Sequence, residues 1–185
     1  RTAAFLTGRL NVYASNTPAP TPEPRLPPAP LALYRKGKEV FHRDAHCATC
    51  HQPSGTGTPG IYPPLNVAGN PWLADDQRLI KVVLKGLWGP LEISGQRLAP
   101  TNGVPPMVGF AGMLTDEEAA AVISYVRQSF GNNLPPVQPA QVSRIREKTK
   151  GRSDFYMVEE IMSEHPIPGW EQWGKMARPK DNIYE

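Results

Sequence analysis

Apolar residues recur at helical spacing in three stretches of the chain, 33–41, 75–85 and 115–130. Side chains three and four positions apart share one face of an α-helix, so each stretch predicts a helix with one buried side. No segment alternates convincingly between apolar and polar residues as a half-buried strand does, and the predicted fold class is all-α. The pattern is carried by Leu33, Gly37, Val40 and Phe41, by Leu79, Val82 and Val83, and by Ala119, Val122, Ile123, Val126 and Phe130.

Residues with a preference for helix ends bound the second and third stretches. Asp75 stands where a helix is expected to begin, and Gly86 is a natural stop. Thr115 and Glu118 have the spacing of a capping box, and Gly131 follows the last apolar position. The third helix is therefore the most clearly delimited one.

The remaining segments predict loops and weaker helices. Residues 46–60 and 86–114 are rich in glycine and proline, and the second of these is predicted to be a long irregular loop with a functional role. Short helices are predicted near 140–150 and 155–164, and residues 165–185 are predicted to be extended.

Proline usage divides the chain into three parts. There are 22 prolines in 185 residues, and seven of them fall within residues 18–30. We expect residues 1–30 to form an extended arm that serves as a linker or packs on the chain's own surface. Residues 31–134 then form the folded domain, and residues 135–185 form an irregular and partly helical C-terminal extension.

Charge and hydropathy exclude two classes of function. The net charge is +3 and no segment carries a basic stripe, so nucleic acid is not an expected partner. No run of about 18 apolar residues is present, and membrane association is expected only through a partner or an anchor outside this sequence. The chain begins at Arg1, and residues 1–13 lack the apolar core of a signal peptide, which predicts a mature form or part of a longer protein.

The chemistry of the chain is carried by one motif, Cys47-Ala48-Thr49-Cys50-His51. C-x-x-C-H is the attachment signature of a c-type haem, in which two thiols add to the two vinyl groups of the porphyrin. Two intervening residues let the backbone span the distance between the vinyl groups, and the adjacent histidine then lies beneath the iron. One covalently bound haem c is therefore the predicted cofactor.

Three other interpretations of the motif compete with haem attachment. A zinc site would need a second pair of ligands, whereas Cys47 and Cys50 are the only cysteines and the other histidines lack a suitable spacing. A thioredoxin-like redox pair would need a βαβ context, which the pattern does not predict. A chance, inert match is the third possibility. Haem attachment is favoured over all three.

The sixth ligand of the iron is predicted to be a methionine. Met107 follows two prolines within the glycine-rich loop, where it has no periodic core face to fill, and it is the preferred candidate. Met113 precedes Thr115 closely and is expected to pack against the start of the helix. The other methionines, farther along the chain, are Met157, Met162 and Met176.

From about Leu31 to Asn132 the chain resembles the class I c-type cytochromes. Gly37 and Phe41 are similar to the small and aromatic residues of that family's first helix, which crosses the last helix. The resemblance implies a cytochrome c fold and places Tyr125 or Val126 on the opposing surface.

The same resemblance assigns further site residues. Pro63-Pro64-Leu65 is similar to the family's P-x-L segment, which implies that the Pro63 carbonyl accepts a hydrogen bond from the ring of His51. The segment around Met107 is similar to the family's methionine loop. His51 and Met107 are then the expected iron ligands.

The resemblance implies one-electron transfer by a protein that is not itself an enzyme and has no catalytic residues. The expected partners are redox proteins, such as a dehydrogenase or a respiratory complex, at the periplasmic or exported face of a bacterial membrane. The alternative is a haem enzyme or gas sensor with an open or labile sixth position.

Several other residues are weaker candidates. Trp72 and Trp88 are expected in the haem pocket or in the ordinary core. Haem propionates or solvent are the expected surroundings of Arg78, Arg97 and Asn102. Aromatic residues of the extension predict either a docking module or a tail that wraps its own domain, and these residues are Tyr156, Trp170 and Trp173.

Overall fold

A computed structural model describes residues 23–93 and 95–169. The helices are α1 (Pro28–His42), α2 (Cys47–His51), α3 (Asp76–Lys85), α4 (Asp116–Gln128), α5 (Pro139–Thr149) and α6 (Val158–Glu164), and short 3₁₀ turns span Pro71–Leu73 and Pro100–Asn102. The strands are β1 (Gly86–Trp88), β2 (Leu91–Ile93), β3 (Gln96–Leu98), β4 (Met107–Val108) and β5 (Tyr156–Met157). Within these ranges, no helix combines the length and the apolar character needed to cross a bilayer.

The predicted helices are present, with shifted ends. Helix α1 begins at Pro28 rather than near Leu33, because proline suits the first turn of a helix, where its missing N–H is not needed. The last residues of the predicted arm therefore belong to α1, and residues 1–22 lie outside the described part. Helix α3 begins after Asp75, whose side chain accepts a hydrogen bond from the Arg78 backbone N–H.

Helix α4 has the capping box predicted from its sequence. The Thr115 hydroxyl accepts from the Glu118 backbone N–H, and the Glu118 carboxylate accepts from the Thr115 backbone N–H. The helix ends at Gln128, before the predicted end, because Phe130 and Gly131 adopt left-handed conformations with φ of 58° and 81°.

The crossing of α1 over α4 forms the centre of the main core. The Phe41 and Tyr125 rings pack with their centroids 5.2 Å apart, and Tyr34 lies 5.1 Å from Tyr125 on the same measure. Gly37 has no side chain at the crossing, which lets the two backbones approach closely. The expected contact with Tyr125 is confirmed, and Ala121 also contacts Gly37.

The segment predicted as irregular contains short strands, so the structure is mainly helical rather than strictly all-α. Strand β1 lies between β4, which is antiparallel to it, and β5, which is parallel to it. Strands β2 and β3 form an antiparallel hairpin. Elements of two or three residues are too short to show a period of two in the sequence.

The described part of the C-terminal extension packs on the domain that precedes it. Val142 and Ile145 of α5 join the main core, whereas Tyr156 and Ile161 belong to a second apolar cluster with Trp72. Tyr156 is only 4% exposed, so it does not offer an aromatic surface for docking. Trp170 and Trp173 lie outside the described residues.

Candidate functional site

The C-x-x-C-H motif forms the one-turn helix α2. Cys47 and Cys50 are three residues apart within this turn, and the chain leaves it through Gln52, which has φ of 63°. The following loop folds back, and the Gly57 backbone N–H donates to the His51 carbonyl oxygen over 2.9 Å. A Cβ at Gly57 would lie 2.3 Å from the Tyr62 carbonyl oxygen, so only glycine fits this return.

The returning loop fixes the orientation of His51. Its Nδ1 lies 3.0 Å from the carbonyl oxygen of Pro63. A carbonyl oxygen only accepts hydrogen bonds, so Nδ1 carries the proton and Nε2 keeps a free lone pair. Burial lowers the pKa of His51, although the bond to Pro63 opposes this effect. The ring is therefore neutral near pH 7 and suited to bind a metal through Nε2.

The two cysteines form no disulfide with each other, and both line an apolar cavity. Burial raises the pKa of Cys47 to about 11, with a smaller contribution from neighbouring Cys50. Catalytic disulfide exchange depends on a thiolate, and redox-active C-x-x-C pairs have a lowered pKa at one cysteine. The environment of Cys47 therefore argues against a thioredoxin-like pair.

A single apolar cavity of about 360 Å³ brings the candidate site residues together. Cys47, Cys50, His51 and Met107 all line it. The faces predicted to be buried in α3 and α4 contribute aliphatic side chains to the wall of this cavity. These wall residues include Leu79, Val82, Val83, Val122, Ile123 and Val126.

The structure separates the two methionines that sequence reasoning weighed. Met107 lies in β4, is partly buried and lines the cavity. Met113 is 53% exposed and does not line it. Of the more distant methionines, Met157 is 41% exposed, Met162 is buried in the second apolar cluster, and Met176 is outside the described residues.

The weaker candidates divide into two groups. Trp72, which is buried, and Trp88, which is partly buried, both line the cavity. Arg97 and Asn102 do not line it; Arg97 lies opposite Glu92 in the β2–β3 hairpin. Of the two surroundings expected for Arg97 and Asn102, propionates or solvent, the cavity wall gives no support to propionates.

Arg78 lines the cavity, but protein groups occupy most of its guanidinium. The side chain is buried and donates to the carbonyl oxygens of Pro71, Trp72 and His165 over 3.0, 3.1 and 2.7 Å. Burial lowers the pKa of Arg78, and the nearby Asp75 carboxylate opposes this effect. An arginine stays charged in proteins, so a fixed positive charge is present in the cavity wall.

Sequence reasoning missed the contribution of the β2–β3 hairpin. Leu91, Ile93 and Leu98 line the cavity, although they fall in the segment predicted to be an irregular loop. A signal was available, because Ser94-Gly95 between short apolar segments is typical of a two-residue hairpin turn. Ile93 pairs with Gln96, so two residues separate the paired positions of β2 and β3.

The donor set and the cavity fit a covalently attached haem. Two thiols three residues apart stand beside a neutral imidazole, and a thioether sulfur lines the same apolar space. Histidine and methionine are the axial pair of electron-transfer haems. An apolar wall around the site excludes water and tunes the redox potential of the iron.

Comparison with known proteins identifies the same chemistry. The family model for cytochrome c matches residues 34–130. Cytochrome c-552 of Thermus thermophilus is 38% identical over 127 residues, which cover 64% of this chain and 80% of that protein. The cytochrome c subunit of the quinone alcohol dehydrogenase of Gluconobacter oxydans is 36% identical over 115 residues, or 60% of this chain and 22% of that subunit. The corresponding subunit of Gluconacetobacter polyoxogenes is 32% identical over 107 residues, or 55% of this chain and 20% of that subunit.

Proposed function

Because this chain belongs to the cytochrome c family, we propose that it transfers single electrons between redox proteins with its haem held by Cys47, Cys50, His51 and Met107. It is an electron-transfer protein, and its cofactor is one covalent haem c. The observation that carries the residue assignment is the apolar cavity lined by all four side chains.

Each of these residues has a defined task in this proposal. Cys47 and Cys50 would hold the porphyrin through thioethers, and His51 would bind the iron through Nε2, with its ring oriented by the Pro63 carbonyl oxygen. Met107 would supply a second protein ligand to the iron and so would leave no position for a substrate. The haem supplies a one-electron couple between Fe(II) and Fe(III). The protein binds, orients and shields the cofactor, and needs no acid, base or nucleophile.

The partner is a redox protein. We place it among dehydrogenases or respiratory complexes, because two of the relatives are subunits of alcohol dehydrogenases. The exported face of a bacterial membrane is the proposed location, since covalent haem attachment is expected there. The comparisons do not favour the alternative of a haem enzyme or gas sensor.

The test is an optical spectrum of the oxidised holoprotein. A weak far-red band marks methionine sulfur on ferric haem, and we expect this band in the wild type and its loss in Met107→Ala. Met113→Ala is the matched control, because Met113 is exposed and does not line the cavity. A wild-type spectrum without the band, together with rapid binding of carbon monoxide to the reduced protein, would contradict the proposal.

A further inference from the structure

The strand that carries Met107 is joined to the C-terminal extension through β1. Leu87 of β1 pairs with Met107 of β4 on one side and with Tyr156 of β5 on the other. Gly86 keeps the strands close, because a Cβ there would lie 2.3 Å from the Met107 carbonyl oxygen and 2.5 Å from Cδ1 of Phe155. Met107 and the extension thus belong to one small sheet.

Apolar packing links the same two parts of the chain. Met107 packs against the second apolar cluster, in which the extension and the preceding domain contribute buried side chains. Ile161 of α6 is fully buried there. The extension contributes Tyr156, Val158, Ile161, Met162 and Ile167, and the domain contributes Trp72, Val82, Leu87, Ile93 and Leu98.

A polar contact from α5 reaches the segment that follows Met107. Arg146 donates from Nη1 to the Ala111 carbonyl oxygen and from Nη2 to the Leu114 carbonyl oxygen, the latter over 2.8 Å. Its Nε also donates to the Asp116 carboxylate over 2.7 Å. One side chain of the extension therefore holds the connection between β4 and α4 at three points.

The extension is also anchored to α3. The Lys85 ammonium donates to the Arg152 carbonyl oxygen over 2.8 Å, and the Arg78 guanidinium donates to the His165 carbonyl oxygen over 2.7 Å. These anchors fix the extension to a helix of the cavity wall. An extension anchored in this way can restrict the position of β4.

We propose that residues 135–167 are a positioning element that holds Met107 at the cavity. The inference rests on the proposed role of Met107 as the sixth ligand. Between the 3₁₀ turn at Pro100–Asn102 and Met107, the chain is rich in glycine and proline and forms no helix or strand. A ligand on such a segment is held only when its supporting contacts restrict it. Loss of the supporting contacts therefore opens the sixth position while the main core stays folded.

Two buried isoleucines of the extension provide a matched test. Ile161→Ala removes packing from the cluster that contacts Met107, whereas Ile145→Ala removes a similar side chain from the main core. Both haem-loaded variants should unfold at lower temperature than the wild type. Only Ile161→Ala should weaken the far-red band and raise the apparent affinity of the reduced protein for carbon monoxide by about tenfold, because that affinity follows the fraction with an open sixth position.

A second pair of variants decides the question if Ile161→Ala does not fold. Arg146→Gln removes the three hydrogen bonds to residues 111–116. Arg144→Gln removes the same charge from an exposed position of the same helix. Weakening of the far-red band and tighter carbon monoxide binding are expected in Arg146→Gln and not in Arg144→Gln.

The outcomes separate this inference from the proposed function. If Met107→Ala leaves the band and carbon monoxide binding unchanged, the ligand assignment fails and this inference fails with it. If Met107→Ala abolishes the band while Ile161→Ala matches Ile145→Ala and Arg146→Gln matches Arg144→Gln, only the positioning role is overturned.

Discussion

A Cβ placed on Gly37 would lie 2.0 Å from the carbonyl oxygen of Ala121. This separation is far below van der Waals contact, and the opposing atom belongs to the backbone of α4, which has no rotamer with which to move away. The crossing of α1 and α4 therefore requires glycine at this position. Because residues of α4 also line the cavity, the crossing fixes the position of that part of the cavity wall.

Gly37→Ala is expected to destabilise the protein. Alanine favours a helix over glycine by about 1 kcal/mol, but overpacking against a backbone costs about 3 kcal/mol, so the clash dominates. Urea unfolding should show a net loss of about 2 kcal/mol. Gly151→Ala is the control, because a Cβ there would meet nothing within 4 Å. Equal stability of the two variants would contradict the close crossing.

Asn132 is expected to be essential for the junction between α4 and the loop that carries Pro63. Its side-chain amide donates to the Leu65 and Val126 carbonyl oxygens, each over 2.7 Å, and its Oδ1 accepts from the Val67 backbone N–H over 2.6 Å. Asn132→Ala leaves these groups without their partner, which should cost about 3 to 5 kcal/mol in urea unfolding.

The neighbouring asparagine gives the control for this change. Asn133 is exposed, and its replacement by alanine should alter the unfolding free energy by no more than about 0.5 kcal/mol. A similar small effect for Asn132→Ala would show that water replaces the buried hydrogen bonds.

Glu118 is expected to contribute stability that depends on pH. The hydrogen bond from Arg43, followed by that from the Thr115 backbone, lowers the pKa of Glu118 below its ordinary value of 4.5. A carboxylate with a lowered pKa in the folded state stabilises it above pH 4.5, and this contribution is lost as the pH falls through the folded-state value.

Glu118→Gln should therefore be less stable than the wild type at neutral pH, and the difference should narrow as the solution is acidified below pH 4.5. Thermal unfolding of the two haem-loaded proteins at several pH values measures this difference in stability. Glu117→Gln, which removes the same charge from the same helical turn, provides the baseline. A difference that does not change with pH would exclude this linkage.

Replacement of both motif cysteines tests covalent attachment directly. The wild-type chain should keep its haem after denaturation, because thioether bonds survive unfolding. Cys47→Ala/Cys50→Ala should lose haem from a denatured sample, as detected by haem staining of a gel. Cys50→Ala alone retains one thiol and should retain the stain. Haem that stayed with the denatured double variant would exclude thioether attachment.

Local signals in the sequence were sufficient to predict the helices and to identify the C-x-x-C-H motif. The capping box of Thr115 and Glu118 is a contact between residues three apart, and the C-x-x-C-H spacing is set within one helical turn. Such features depend on neighbours along the chain, so they are readable without tertiary information. The match of residues 34–130 to the cytochrome c family agrees with that interpretation.

The features of the fold and the site that the sequence did not predict depend on contacts between residues far apart in the chain. The pairing of Leu87 with Tyr156 joins strands of two or three residues, which carry no readable period, and the Arg78 side chain is oriented by carbonyl groups on two separate segments. By itself, the sequence determined that the chain has the spacing of a haem c attachment motif, because that spacing is local. Only the tertiary structure decided that the C-terminal extension and Met107 belong to one small sheet, because this pairing depends on backbone positions that no single segment specifies.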